Sequence, residues 1–377
     1  MAHLNIDAVN PSRAYELASH MVKKRDIPFF FHGSPGIGKS EIVEQIAREQ
    51  GMALEVLMLT QIDSQDLRGI QYPDPESKRM VYYPPEFLPG PTSPPTILFL
   101  DELTGAEPRL QVSAYQLLLS RRIGSYKLPD NCYVCAAGNG PADGAIAYEM
   151  GTALASRLLH ISVKAEPRSW LNWAMANNIH PHILTLIQLK GDLLESTDEQ
   201  LKRGDLVGPN PRAWARVSSI LHYTGTHNRG LTEPLVEGLV GKAAAADLFL
   251  TAEEMKDLPS PELILRMKEE EYVKIIPKTI PSMYGLTYSM VAYANEVETM
   301  QKAIKFLNIM QEKATDLPAG DCKSLGLELI LDRALKTGLD AELMTTPEFL
   351  ETCEDIKKVA DVSNNRIARK KKTTANA

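Results

Sequence analysis

The residues that most constrain this chain are Gly33, Ser34, Pro35, Gly36, Ile37, Gly38, Lys39 and Ser40, which follow the apolar run Phe29-Phe30-Phe31 and precede an amphipathic stretch at 41–47. They fit G-x-x-x-x-G-K-[ST] completely, in the strand, loop and helix order that the pattern needs. Glycines let the backbone curl so that its N–H groups point inward at phosphate oxygens, and the helix N-terminus adds favourable partial charge. In such a loop the lysine, here Lys39, reaches the β and γ phosphates, and the hydroxyl of Ser40 holds Mg²⁺. The bland alternative is a glycine-rich loop capping a helix.

The rest of the first half agrees with an open sheet. Residues 27–165 alternate short β-prone apolar runs with helical patterns, as an α/β fold does. Strand candidates fall at 27–32, 54–60, 96–101, 133–137 and 158–163, and Asn10-Pro11-Ser12 reads as a helix start. A proline-rich interruption at 71–95 holds two β-prone pieces around a turn, which predicts an inserted hairpin at about 70–84. From residue 166 the β signal fades. The expected domains are therefore an α/β nucleotide-binding domain at 1–165, a helical lid at 166–250 and a helical extension at 251–377. Stretches 296–311 and 341–362 of the extension read as amphipathic helices.

Composition narrows the function classes. No apolar run approaches the roughly 18 residues of a membrane span and the N-terminus lacks a signal peptide's apolar segment, so a cytoplasmic protein is expected. Four cysteines in 377 residues do not make a disulfide framework. A net charge of −7 argues against broad nucleic-acid binding, which needs clustered Lys and Arg. The local exception is the basic tail with Arg366, Arg369, Lys370, Lys371 and Lys372.

Two more strand ends bring polar groups toward the loop. The apolar run 96–100 leads into Asp101 and Glu102, which places both carboxylates at the C-terminal edge of the sheet, where open α/β folds bind ligands. Asp101 suits Mg²⁺, and Glu102 suits an attacking water; a helix cap is the other use of an Asp there. Asn139 follows a third strand end, where it either hydrogen-bonds the water or γ-phosphate or simply forms a turn beside Gly138 and Gly140. Cys132 and Cys135 form a CxxC pattern, but the two-residue period of a strand sends them to opposite faces, against a metal or redox pair.

In order, the glycine-rich loop, Ser64-Gln65-Asp66-Leu67-Arg68-Gly69, Leu88-Pro89-Gly90-Pro91, the run from Ile97 through Asp101-Glu102 to Gly124, and Ala136-Ala137-Gly138-Asn139 resemble the MoxR-type AAA+ ATPases. That group includes Q-type rubisco activases and gas-vesicle ATPases. The resemblance covers about the first 220 residues. It implies a P-loop core with a five-stranded parallel sheet of order 5-1-4-3-2, a helical lid, and a homo-oligomer, usually a hexameric ring, with ATP and Mg²⁺ between subunits. It also implies that the hairpin lies near the pore, with Tyr72, Met80, Tyr82 and Tyr83 as candidates for touching a client; an apolar face packed on the core is the alternative.

Two arginines carry over from the resemblance. Arg157 stands just before the last core strand, at the place of the arginine finger that completes a neighbouring subunit's site, and Arg212 matches the lid's sensor arginine. A surface ion pair is the ordinary alternative for either. The chain departs from the family after Glu102, where Leu103 is followed by Thr104 and Gly105 instead of Asn and Arg, and before Arg157, where Ser156 replaces an acidic residue. Position 104 is thus not the expected restraint on the glutamate. The implied activity is ATP hydrolysis coupled to remodelling of a protein client, in this family often through a von Willebrand A-like adaptor. The alternative is an AAA+ motor or loader on nucleic acid, against which the charge balance speaks.

Overall fold

The computed structural model describes residues 6–25, 27–140, 148, 150–196, 202–314 and 317–353. The basic tail at 366–372 and the end of the 341–362 stretch lie outside these residues.

In chain order the strands are β1 (Phe29–His32), β2 (Ala53–Met58), β3 (Ile70–Asp74), β4 (Arg79–Tyr83), β5 (Thr96–Asp101), β6 (Arg122–Ile123), β7 (Tyr126–Lys127), β8 (Cys132–Gly138) and β9 (Leu159–Ser162). Five of them make one sheet in the order β2-β5-β8-β1-β9, every neighbouring pair parallel. Numbered as core strands one to five, that order reads 5-1-4-3-2 from the β9 edge. The first two strands are shorter than their apolar runs suggested: β1 begins at Phe29, and Leu59–Gln61 turns into a short 3-10 segment after β2.

The sheet is apolar on both faces because helices cover both. Phe29 and Phe31 pack with Ala14, Ala18 and Val22 of helix α1 (Pro11–Lys24) and with Val43 and Ile46 of helix α2 (Lys39–Glu49). Phe30 points the other way, among Leu98, Leu100, Leu110, Leu117 and Ala136. All three rings are fully buried, each contributing about 1.5–3 kcal/mol of transfer free energy. The same alternation separates Cys132 from Cys135, which belong to opposite core clusters. Burial pushes the Cys132 thiol up to about 11 and the Cys135 thiol higher than its ordinary value, so neither is a thiolate at neutral pH.

Local signals set the helix starts. The Asn10 side chain accepts from Arg13 N at 2.9 Å and caps α1, with Pro11 in the first turn. Helix α3 (Ser64–Arg68) ends at Gly69, with φ of 80°; a Cβ there would sit 2.0 Å from the Tyr83 carbonyl oxygen, so only glycine lets the chain close the β3–β4 hairpin. That hairpin is antiparallel, with Tyr72 opposite Val81 and Ile70 opposite Tyr83.

The described chain divides into two compact units, Met1–Trp170 with Asp192–Trp214, and Leu171–Gly191 with Ala215–Ala377. The second is helical. Its helix Ile280–Tyr293 buries Met283, Leu286, Tyr288 and Met290, and the Tyr288 hydroxyl donates to Gln188 Oε1 at 2.8 Å. The 296–311 stretch forms the helix Val297–Lys313. Among the described residues no helix is long and apolar enough to cross a membrane.

Candidate functional site

Sheet order decides what meets the loop. Because β8 lies between β5 and β1, the ends of these three strands deliver Asp101, Asn139 and the glycine-rich loop to one edge. The loop is anchored by Ile37, buried in the core below it. Gly36 has φ of 81°, and a Cβ on it would lie 2.6 Å from Asn210 Oδ1. Lys39 begins α2 and is buried; its Nζ donates to Gly33 O at 2.6 Å, to Ser34 O at 3.1 Å and to Asn139 Oδ1 at 2.8 Å.

The Ser40 hydroxyl donates to Asp101 Oδ2 at 2.7 Å. Asp101 Oδ1 accepts from Glu102 N at 2.8 Å. Glu102 is held at φ 56°, ψ 32°, a left-handed conformation uncommon outside glycine and the kind of strain found at functional sites. Its carboxylate accepts a short hydrogen bond from the Thr60 hydroxyl. Thr104 turns elsewhere, donating to Asn139 O at 2.9 Å. Ser40 and Asp101 present the all-oxygen donor set that a hard divalent cation takes, and Lys39 is the cation a phosphate needs. The residues fit a magnesium nucleotide.

Arg212 reaches the same loop through its backbone. Its N–H donates to Gly36 O at 3.1 Å, while Asn210 caps the following helix by accepting from Ala213 N at 2.9 Å. The Arg212 side chain is exposed. Arg157 is the residue the fold keeps away. Leu159 is paired with Phe29 and Ser162 with His32, so Arg157 lies before the N-terminal edge of the sheet while Gly33 lies past the C-terminal edge. From Phe29 to Gly33 the register runs four residue levels, about 13 Å at the rise of a strand, and Arg157 stands two residues before Leu159.

Residues 28–145 match the family model described as an AAA domain of the dynein-related subfamily. This segment has the P-loop α/β fold of an AAA domain. The loop, Asp101 and Glu102 all fall inside the matched stretch. The chain is also 27% identical over 219 residues to midasin of Giardia intestinalis, a match that takes in 54% of this chain but 4% of midasin. Among solved structures, NtrX of Brucella abortus in complex with ADP is 11% identical with a TM-score of 0.39, over 86% of this chain and 70% of that one. A RuvB mutant of Thermotoga maritima is 14% identical with a TM-score of 0.34, over 71% and 74%.

Thr60 and Asn210 were not singled out from the sequence. Thr60 could have been found from register: Met58 pairs with Asp101, so the residues just beyond each strand end are neighbours. Asn210 carries the Asn-Pro signature of a helix start but its approach to Gly36 is tertiary. In the hairpin, Tyr72, Met80 and Tyr83 are 50%, 56% and 60% exposed, not packed on the core. Tyr82 is half-buried, with Gly124 against its ring and its hydroxyl bonded to Gln71.

Proposed function

We propose that this chain is a ring-forming, MoxR-like ATPase that couples hydrolysis of ATP to the remodelling or activation of a protein client in the cytoplasm. The observation that carries the reading is the placement of Arg157 at the sheet edge opposite the glycine-rich loop. An arginine at the far edge of the sheet cannot reach phosphates in its own loop, which supports a role in another subunit's site. A head-to-tail contact that repeats around a closed ring supplies that arrangement, and a hexamer is the form expected.

In this reading Lys39 offsets phosphate charge, Ser40 and Asp101 hold Mg²⁺, and Gly33 to Gly38 wrap the phosphates with backbone N–H groups. When bound, Mg²⁺ neutralises charge on the phosphate oxygens. Glu102 accepts a proton from the attacking water and Asn139 orients that water, while Arg157 of the neighbour stabilises the charge on the transferring phosphoryl group. Arg212 reports on the loop as part of a helical lid at 166–250. The exposed face of the hairpin, Tyr72, Met80 and Tyr83, touches the client, directly or through a von Willebrand A-like adaptor. The net charge and the apolar hairpin favour a protein client over nucleic acid.

The test is assembly and capture. Glu102→Gln protein with ATP is sized by sedimentation, then used to retain partners for mass spectrometry. Nucleotide-dependent rings that retain a protein lost on Tyr83→Ala support the reading; a monomer at all nucleotide concentrations overturns it.

A further inference from the structure

His32, the last residue of β1, has its Nε2 2.7 Å from Nδ1 of His160 in β9. On its other side, His160 Nε2 lies 2.8 Å from the carbonyl oxygen of Ala155. A carbonyl can only accept, so Nε2 of His160 carries a hydrogen and donates to it, and one further hydrogen lies between His160 Nδ1 and His32 Nε2. The geometry therefore gives a continuous chain of hydrogen bonds from the Ala155 carbonyl through His160 to His32. Burial first, then His160 and Lys39, push His32 down to about 4, which keeps the ring neutral. Phe30 fixes both rings from below, 4.4 Å from His32 and 6.1 Å from His160 between centroids.

The two ends of this chain of bonds are the two functional edges of the sheet. His32 is bonded covalently to Gly33, whose carbonyl accepts from Lys39. Ala155 ends the short helix Thr152–Ala155, and its carbonyl also accepts from Leu158 N at 3.3 Å, while Arg157 N donates to Leu154 O at 2.9 Å. Ala155 is thus a fixed point of the turn that carries Arg157. A simple core pair would need no polar path across a sheet otherwise filled with Phe and Ala.

We propose that His32 and His160 are positioning residues that tie the phosphate loop of one subunit to the turn holding the arginine that the same subunit lends its neighbour. The proposal rests on the reading of Arg157 as acting across an interface. Its consequence is directional: a change in the Gly33 carbonyl that Lys39 holds moves His32, and through His160 the Ala155 carbonyl, without passing through any domain motion.

The experiment compares steady-state ATP turnover and affinity for a fluorescent ADP in His160→Phe, His160→Gln, Arg157→Ala and the double variant His160→Phe with Arg157→Ala. Phe keeps the ring and removes both bonds, while Gln carries one acceptor and one donor. We expect His160→Phe to lower turnover about tenfold or more at unchanged ADP affinity, since misplacement of a catalytic group costs that much. His160→Gln restores most of it, and adding His160→Phe to Arg157→Ala costs nothing further. Wild-type turnover in His160→Phe, a full further loss in the double variant, or equal falls in turnover and ADP affinity overturns the relay. Unchanged turnover in Arg157→Ala alone removes the interface reading and the relay with it, whereas an inactive Arg157→Ala beside an active His160→Phe removes the relay alone.

Discussion

Thr60 donates its hydroxyl hydrogen bond to the carboxylate of Glu102, across the ends of two adjacent strands and beyond any pairing of the sheet itself. A hydrogen bond to a charged group holds it by about 1.5–3 kcal/mol and fixes its orientation. Thr60→Val removes the bond at nearly constant shape on an exposed residue. Turnover of ATP without client is expected to rise severalfold, and Thr60→Ser to stay at the wild-type rate. Phosphate release measures both; a fall in the Val variant with melting unchanged counts against a restraining Thr60.

Lys39 spends its ammonium on two loop carbonyls and Asn139. Without it those acceptors and any phosphate lose their cation, so Lys39→Ala should weaken nucleotide binding by at least about 100-fold, a loss of 2.7 kcal/mol or more. Titration with a fluorescent ADP checks this. Binding within a few-fold of wild type would place the phosphates elsewhere.

Glu102→Gln keeps the shape and the contact with Thr60 but removes the carboxylate proposed as the base. Turnover should fall about 10²–10⁴-fold while ATP affinity holds. Single-turnover phosphate release separates the two, and normal hydrolysis would remove Glu102 from its assigned role.

Burial pushes three histidines down, His32 and His182 to about 4 and His180 to about 3. Their folded values lie below the unfolded value of about 6.5, so between these limits the unfolded chain binds more protons and stability falls as pH falls. Each such histidine contributes a slope approaching about 1.4 kcal/mol per pH unit below its unfolded value. Urea midpoints should drop from pH 7 to pH 5, and the drop should shrink in His32→Gln. A midpoint that is flat over that range contradicts the buried neutral state.

The loop and the strands were legible because a rigid motif and strong periodicity are local properties, while the sheet order came from the family resemblance: 29–31 could be only a buried strand, and 96–101 was found to the residue. The strand ends before and after were less so, since Leu59–Gln61 and the start of β8 are settled by packing against neighbours rather than by propensity. Asp101, Asn139 and the loop were placed together correctly because a parallel sheet gathers its C-terminal ends. Thr60, His32, His160 and Asn210 were missed for one reason: each acts through a partner distant in sequence, and Thr60 and both histidines stand in stretches that look like ordinary strand ends. The position of Arg157 was read from the motif order, but that it faces away from its own loop needed the β1–β9 register.

The shared site is tested most directly by mixing subunits. Arg157→Ala and Glu102→Gln proteins, each strongly impaired alone, are combined in equal amounts and ATP turnover is followed. Where an Arg157→Ala subunit meets the finger of a Glu102→Gln neighbour, one site regains every group, about one site in four if subunits mix at random around a ring. The account predicts recovery to a measurable fraction of the wild-type rate. No recovery, with mixed assemblies confirmed by mass, would contradict it.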